Sequence, residues 1–336
     1  MLKVTIGTTL LLFSLGGCLN ENGKNTQKEN GISTTLNSVV LDDHTDTTSL
    51  SSIKYKVPNF EKHVQIIHMS DSLIVGAVNP KSTKTSIEGY STVITSEDGL
   101  SWSEIDIGFE EYLIADIKTV EDTIYAVGRN KVHNKGGFII SSTNGRNWKF
   151  VEETSQALTS IVGTNELKIA LGVNQTVFAS NEPGSWREVI LPDTTNMYAG
   201  TIINSEYVLV GDISLVKTSN GVDWEVTSLQ DVGLENGMRF IVNSGESVVV
   251  ANTSTIYYST DMDLWEEAKI EITIKDITFD GRNYYVLSGE DRIYESREGL
   301  NWDEVEVHNV SEIEGGVNCK EHQCVVLEDT ILVKKL

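Results

Sequence analysis

From residue 53 onward the chain is built of short runs in which apolar and polar residues alternate, separated by clusters of Gly, Asn, Asp and Ser. One stretch shows the unit: Ile114 to Val120, Thr123 to Gly128, Phe138 to Ser142 and Trp148 to Val151. Period-two alternation over such lengths predicts half-buried β-strands. Four antiparallel strands in about forty residues describe one blade of a β-propeller. The unit recurs. All six tryptophans, Trp102, Trp148, Trp186, Trp224, Trp265 and Trp302, close a similar short phrase, at spacings of 46, 38, 38, 41 and 37 residues. One blade cannot cover both of its own faces, so its neighbours must complete the core.

The phrase runs Ser96-Glu97-Asp98-Gly99-x-x-Trp102, Ser142-Thr143-Asn144-Gly145-x-x-Trp148 and Thr218-Ser219-Asn220-Gly221-x-x-Trp224. It returns as Ser259-Thr260-Asp261-Met262-x-x-Trp265 and Ser296-Arg297-Glu298-Gly299-x-x-Trp302. The copy ending at Trp186 keeps the length and loses the turn chemistry. Asn-Gly and Asp-Gly tolerate the positive φ of a tight hairpin. A Ser or Thr hydroxyl three residues before the Gly, with the Asp or Asn side-chain oxygen, can hold backbone N–H groups across the turn. The Trp then begins the outer strand and buries a flat surface against its own or the adjacent blade.

Six blades carry the phrase. After Trp302, Gly315 to Cys319, Cys324 to Leu327 and Thr330 to Val333 read as three more strands, and Ile53 to Val57 reads as an unpartnered one. The expected fold is therefore all-β: a seven-bladed propeller of four-stranded antiparallel blades, closed by the N-terminal strand in the last blade. Closure removes two sheet edges that would template unwanted pairing. The alternatives are residues 53–57 as linker beside a three-stranded last blade, and a six-bladed ring.

Residues 1–17 are read outside the fold. Lys3, the apolar run Ile6 to Leu15 and the tetrad Leu15-Gly16-Gly17-Cys18 read as an export signal, too short to span a bilayer. The tetrad resembles the bacterial lipobox, which implies cleavage before Cys18 and acylation of its sulfur; an ordinary signal peptide is the alternative. Leu19 resembles the outer-membrane sorting pattern. Residues 18–52, the acylated cysteine and a segment rich in Asn, Thr, Ser, Glu and Lys, read as a disordered tether reaching on the order of 30–35 Å. The propeller occupies 53–336. The formal charge of −23 becomes about −24 without residues 1–17. Such a surface repels nucleic acid and anionic lipid, so membrane attachment is expected from acyl chains and no nucleic-acid partner is expected.

Cys319 and Cys324 flank a four-residue turn in the last blade, where an exported chain can form a disulfide. Loop entropy gives such a bridge roughly 2 kcal/mol. Adding His322 as a third metal ligand matches no zinc spacing, and no metal or cofactor is expected.

The repeated phrase resembles the Asp-box, or BNR repeat, of sialidase-like and other bacterial propellers, over essentially all of 53–336. In that family the boxes are structural and lie opposite the ligand face. One residue is missing between the acidic position and Gly, as Asp98, Asn144 and Asn220 show, which implies a shorter turn. The sialidase catalytic set does not carry over. There is no Arg-Ile-Pro, Pro58 and Pro80 follow Val57 and Asn79, and two of only seven arginines, Arg146 and Arg297, lie inside boxes. A weaker enzyme reading pairs Asp116 and Asp276, at equivalent positions of innermost strands, as acid and base of a glycoside hydrolase or lyase at the channel mouth. The alternative is two solvated acids. Other exported propellers of this architecture, including photosystem-assembly factors, bind peptides or proteins.

Two connections between second and third strands are long, Asn79 to Tyr90 and Arg129 to Gly137, where most are short. They carry Lys81, Lys84, Arg129, Lys131, His133 and Lys135, a basic cluster on an acidic body. These residues are the expected docking patch for an envelope protein or glycan, with solvated loops as the alternative. The expectation is a lipid-anchored, monomeric binding or assembly module of a bacterial envelope.

Overall fold

The computed structural model describes residues 53–56, 64–69, 73–78, 91–97, 102–108, 112–130, 136–182, 184–192, 194–290, 292–305, 317–320, 323–327 and 330–335; for 53–69 and 317–335 it describes strands and their pairing. Every sheet is antiparallel and four-stranded. Six sheets use consecutive strands. Blade 1 comprises Val64–Met69, Ile74–Val78, Thr92–Ser96 and Ser103–Ile105; blade 2 comprises Tyr112–Val120, Thr123–Asn130, Gly137–Ser142 and Lys149–Thr154. Blade 3 comprises Leu158–Gly163, Lys168–Gly172, Thr176–Glu182 and Ser185–Ile190; blade 4 comprises Met197–Ile203, Glu206–Gly211, Ser214–Thr218 and Glu225–Ser228. Blade 5 comprises Phe240–Asn243, Val248–Ala251, Ile256–Ser259 and Glu266–Glu267; blade 6 comprises Ile274–Phe279, Tyr284–Ser288, Ile293–Ser296 and Asp303–Val305.

The remaining sheet joins both ends of the chain. Val317–Lys320, Gln323–Leu327 and Thr330–Lys335 follow in order, and Ile53–Lys56 lies against the last of them, with Tyr55 opposite Ile331. The first strand of each sheet touches the first strand of the next, and Val317–Lys320 touches the first strands of both blade 6 and blade 1. The ring of innermost strands therefore returns on itself.

The middle strands depart from the half-buried pattern. Ile74–Val78, Lys168–Gly172 and Tyr284–Ser288 are buried at every residue. Each blade is sandwiched between two others, so its second and third strands lose both faces to neighbours. Five core clusters lie at successive junctions. Val75, Ala77 and Val93 of blade 1 meet Ile114, Ile117 and Phe138 of blade 2, with Trp148 against them. Trp186, Trp224, Trp265 and Trp302 occupy the same place at the next four junctions. The tryptophans thus glue their own blade to the preceding one.

Two features differ from expectation. The second strand of blade 2 runs on to Asn130, so Arg129 lies on a strand, paired with Gly137, and not in a loop. Glycine makes this possible, because a Cβ on Gly137 would stand 2.5 Å from the Gly128 carbonyl and 2.6 Å from that of Gln156. Among the described residues one 3₁₀ turn, Gln230–Val232, interrupts the otherwise all-β pattern, in the connection from blade 4 to blade 5.

Candidate functional site on the blade-connection face

The hairpins of a blade sort onto two faces. The box turns and the turns between first and second strands share one; the turns between second and third strands share the other with the connections between blades. The box face is occupied by its own structure. In blade 2, Asn144 Oδ1 accepts the N–H groups of Arg146 and Asn147 at 3.0 and 2.9 Å, and Ser142 Oγ accepts that of Asn144 at 3.3 Å. Asn220 and Thr218 repeat this in blade 4, and Asp261 and Ser259 in blade 5. The Leu264 and Asp263 N–H groups hold the Asp261 carboxyl below the ordinary range.

The residue at the glycine position is left-handed in each case: φ is +68° at Gly145, +69° at Gly221, +66° at Met262 and +94° at Gly299. Space matters as much as φ. A Cβ on Gly145 would lie 2.5 Å from Leu73 Cδ2, one on Gly221 2.9 Å from Leu167 Cδ1, and one on Gly299 2.3 Å from Val249 Cγ2. Each box turn is therefore a wedge against the blade before it. In the Trp186 copy, Gly184 supplies the positive φ of +78° instead, and strands run up to a tight Glu182–Ser185 pair.

The indole N–H groups divide into two kinds. Trp148 donates to Gly145 O at 2.9 Å and Trp302 to Gly299 O at 3.1 Å. Trp224 and Trp265 bury theirs without a partner. At Trp224 the matching carbonyl, Gly221 O, is taken by Arg187 Nη2 from blade 3 at 2.6 Å. Substituting Phe should therefore split the tryptophans. Trp148→Phe and Trp302→Phe are expected to lose about 1 kcal/mol more than Trp224→Phe and Trp265→Phe, read from urea-unfolding midpoints. Equal losses at all four sites would contradict the pairing.

Tyrosines on second strands clamp the same face. Tyr207 of blade 4 donates to Leu167 O of blade 3 at 2.7 Å, and Tyr284 of blade 6 donates to Ser247 O of blade 5 at 2.7 Å. Burial pushes up the phenols of Tyr125, Tyr207, Tyr257, Tyr284 and Tyr285. The folded state keeps these protons to higher pH than the unfolded chain, whose phenols titrate near 10. Above that pH the native state binds more protons than the unfolded one, so stability is complete below about pH 10 and falls as pH rises. Lys168, lowered by burial against the pull of Glu121, works in the opposite sense but is one group against five. Urea midpoints are expected to drop above about pH 10, less steeply in Tyr207→Phe; a flat profile would contradict this.

The connection face is polar and tied together by hydrogen bonds between its turns. Asn174 and Gln175 form a two-residue turn with φ of +56° and +65° in blade 3. Asn174 N–H donates to Asn196 Oδ1 at 3.1 Å and Gln175 N–H to Thr195 O at 2.6 Å, tying this turn to the next connection. Asp212, at the corresponding turn of blade 4, receives Asn196 Nδ2 at 2.9 Å and Thr195 Oγ1 at 3.2 Å. Arg239, just before blade 5, places its guanidinium carbon 3.6 Å from the Tyr198 ring centroid and Nη2 3.8 Å from Asp212 Oδ1. Asp212 precedes Ile213, a large apolar residue left exposed. Glu235 Oε2 accepts from Asn252 Nδ2 at 3.0 Å and Thr255 Oγ1 at 3.2 Å in the same region.

Of the expected basic patch, Arg129 is described and exposed at the end of its strand; Lys81, Lys84, Lys131, His133 and Lys135 lie outside the described residues, as does Cys18. Cys319 and Cys324 stand directly opposite each other on paired strands, with Lys320 opposite Gln323; their side chains lie outside the description. Asp116 and Asp276 do occupy equivalent positions, each just after a bulge and opposite Val127 and Leu287. Asp116 is engaged with blade 3: Oδ2 accepts Ser160 Oγ at 2.6 Å and Ile161 N–H at 3.2 Å, and Lys118 Nζ is 3.5 Å away. Asp276 Oδ1 accepts the N–H of Ile277 at 2.8 Å. Among the described residues no three His, Cys, Asp or Glu gather as metal ligands do.

Sequence reasoning missed Arg239 and Tyr198. The available signal was length: the spacing from Trp224 to Trp265 is 41 residues, against 38 and 37 on either side, and the excess lies in the connection 229–239 that ends at Arg239.

No family model and no curated protein matches the sequence. Solved structures do. A YCF48 structure from Cyanidioschyzon merolae aligns with TM-score 0.58 and 14% identity over 84% of this chain and 98% of its own. YCF48 bound to D1 peptide aligns with TM-score 0.62 and 15% identity, over 87% and 98%. A streptogramin B lyase aligns with TM-score 0.65 and 12% identity, over 85% and 96%. At such identities the likeness establishes the fold, and the chain is a β-propeller of four-stranded antiparallel blades.

Proposed function

We propose that this protein is a binding or assembly module of a bacterial envelope, held to the membrane by lipid on Cys18, that recognises a protein partner on the connection face of a seven-bladed propeller. The carrying observation lies on the connection face, where Arg239 is held half-buried between Tyr198 and Asp212, Ile213 on the adjoining turn is exposed, and Arg129 is exposed at its strand end. The box turns also expose Val222 and Leu264, but their polar side chains are spent on contacts within the turn. A neighbour of the same architecture, YCF48, has been solved with a peptide, which supports a protein partner by analogy of fold only. In this reading Lys81, Lys84, Lys131, His133 and Lys135 extend the patch beyond Arg129. A disulfide between Cys319 and Cys324 braces the sheet that joins both chain ends.

The contacts of Asp116 favour an interblade tie over acid–base chemistry, because its carboxylate is already shared by two donors and a lysine. The binding reading is tested by replacing Lys81, Lys84, Lys131 and Lys135 together with serine. Loss of the partner that the wild-type chain crosslinks in cells is the expected result; unchanged crosslinking discards the patch. Cys18→Ala should move the protein from the membrane to the soluble fraction, and retention in the membrane would remove the lipid anchor from the account.

A further inference from the structure

We propose that Arg239, with Ile213 beside it, forms a subsite for an aromatic side chain of the protein partner. This deepens the proposed function and rests on it. The guanidinium is held as a flat platform. Tyr198 covers one face, its ring 3.6 Å from the guanidinium carbon. Asp212 lies 3.8 Å from Nη2 at one edge. Both supports are themselves fixed: Asn196 Nδ2 bonds to Asp212 at 2.9 Å and reaches the Tyr198 hydroxyl at 3.3 Å, and the Asp212 N–H donates to Asn196 O at 3.0 Å. Gly237 N–H donates to Asp212 O at 2.6 Å, which draws the segment carrying Arg239 onto the turn that carries Ile213. Yet 40% of the Arg239 side-chain surface stays open, and Ile213 is 39% exposed. A side chain already ordered in the free protein loses little entropy on binding.

Charge selects the occupant. An anion would approach a chain of net charge −23 and find Arg239 already facing Asp212. A cation would meet the guanidinium. A neutral ring meets neither obstacle: it stacks on the guanidinium and covers apolar Ile213. Arginine and tyrosine are also the residue types that concentrate binding energy at protein interfaces.

The test follows the Nε–Hε resonance of Arg239 in the full chain, titrated separately with three probes: the capped tripeptides acetyl-Gly-Trp-Gly-amide and acetyl-Gly-Leu-Gly-amide, and hexaglutamate. The tryptophan probe is expected to give a saturable ring-current shift that persists when salt is raised. Arg239→Lys keeps the charge, loses the plane and has no Nε–Hε group to follow, so binding to it is read from line broadening of the probe's own indole protons and should be about tenfold weaker, with the variant still folded. An equal response to the leucine probe, a response only to hexaglutamate that salt abolishes, or no response to the tryptophan probe would each overturn the proposal. The patch is judged separately. The quadruple lysine variant should lose partner crosslinking and keep the tryptophan response; crosslinking lost with the response absent in both proteins sinks this subsite and spares the binding reading.

Discussion

Gly299→Ala is expected to destabilise the protein by about 4 kcal/mol, and Gly281→Ala by about 1.5 kcal/mol. The two glycines have nearly the same φ, +94° and +96°. An L-residue there is strained by roughly 1–2 kcal/mol at either site. They differ in space. A Cβ on Gly281 meets nothing within 4 Å, whereas one on Gly299 would stand 2.3 Å from Val249 Cγ2 and 3.3 Å from Tyr258 Cδ2. Val249 is completely buried in the second strand of blade 5, so it has nowhere to retreat. Forcing a methyl into such packing costs about 1–3 kcal/mol beyond the φ strain. The difference between the two substitutions, read by urea unfolding, therefore measures how tightly the box turn of blade 6 is wedged against blade 5. Equal losses would mean that the turn needs glycine for conformation alone.

Tyr284→Ala is expected to cost about 4 kcal/mol, and Tyr284→Phe about 1–2 kcal/mol of that. The residue is wholly buried in the cluster that joins blades 5 and 6. Its hydroxyl donates to Ser247 O at 2.7 Å and lies 3.0 Å from Ser247 Oγ, which in turn reaches Glu298 O at 3.3 Å inside the blade 6 box. Removing the hydroxyl leaves a carbonyl of the preceding blade short of a donor. Removing the ring empties a site ringed by Val249, Ala251 and Val286. Tyr207, with Leu167 O at 2.7 Å and Thr164 Oγ1 at 3.0 Å, makes the same clamp between blades 3 and 4. These junctions share no residues, so Tyr207→Phe and Tyr284→Phe should add within about 0.5 kcal/mol. Marked non-additivity would show that the blades do not respond as neighbouring pairs.

The period of the tryptophans was enough to read four-stranded sheets in series, because each repeat carries its own alternation and its own turn. Even the unpartnered run at Ile53 found its place, as the edge strand beside Thr330–Lys335. Contacts between blades were not legible. That Trp302 faces blade 5, that Tyr284 seeks a carbonyl of blade 5, and that Met262 can stand where four other boxes have glycine all depend on how one sheet is rotated onto the next. No local pattern encodes that rotation. The platform of Arg239 on Tyr198 was hidden for the same reason, since the two residues are distant in the chain and meet only because successive innermost strands lie side by side. Arg129 was misplaced into a loop because glycines 136 and 137 read as turn residues, when they are what lets the two strands run on beside the next blade's connection.

Closure by the two chain ends is tested most directly by disulfide trapping. In a chain with Cys319 and Cys324 replaced by serine, cysteines are placed at Tyr55 and Ile331, or at Lys54 and Leu332, which stand directly opposite each other. Mild oxidation followed by peptide mass spectrometry should find an intramolecular bridge in at least one of these two pairs and none between Tyr55 and Leu332, one residue out of register. A folded protein that bridges neither paired set, or bridges the offset set equally well, would show that the ring is not joined by its own beginning.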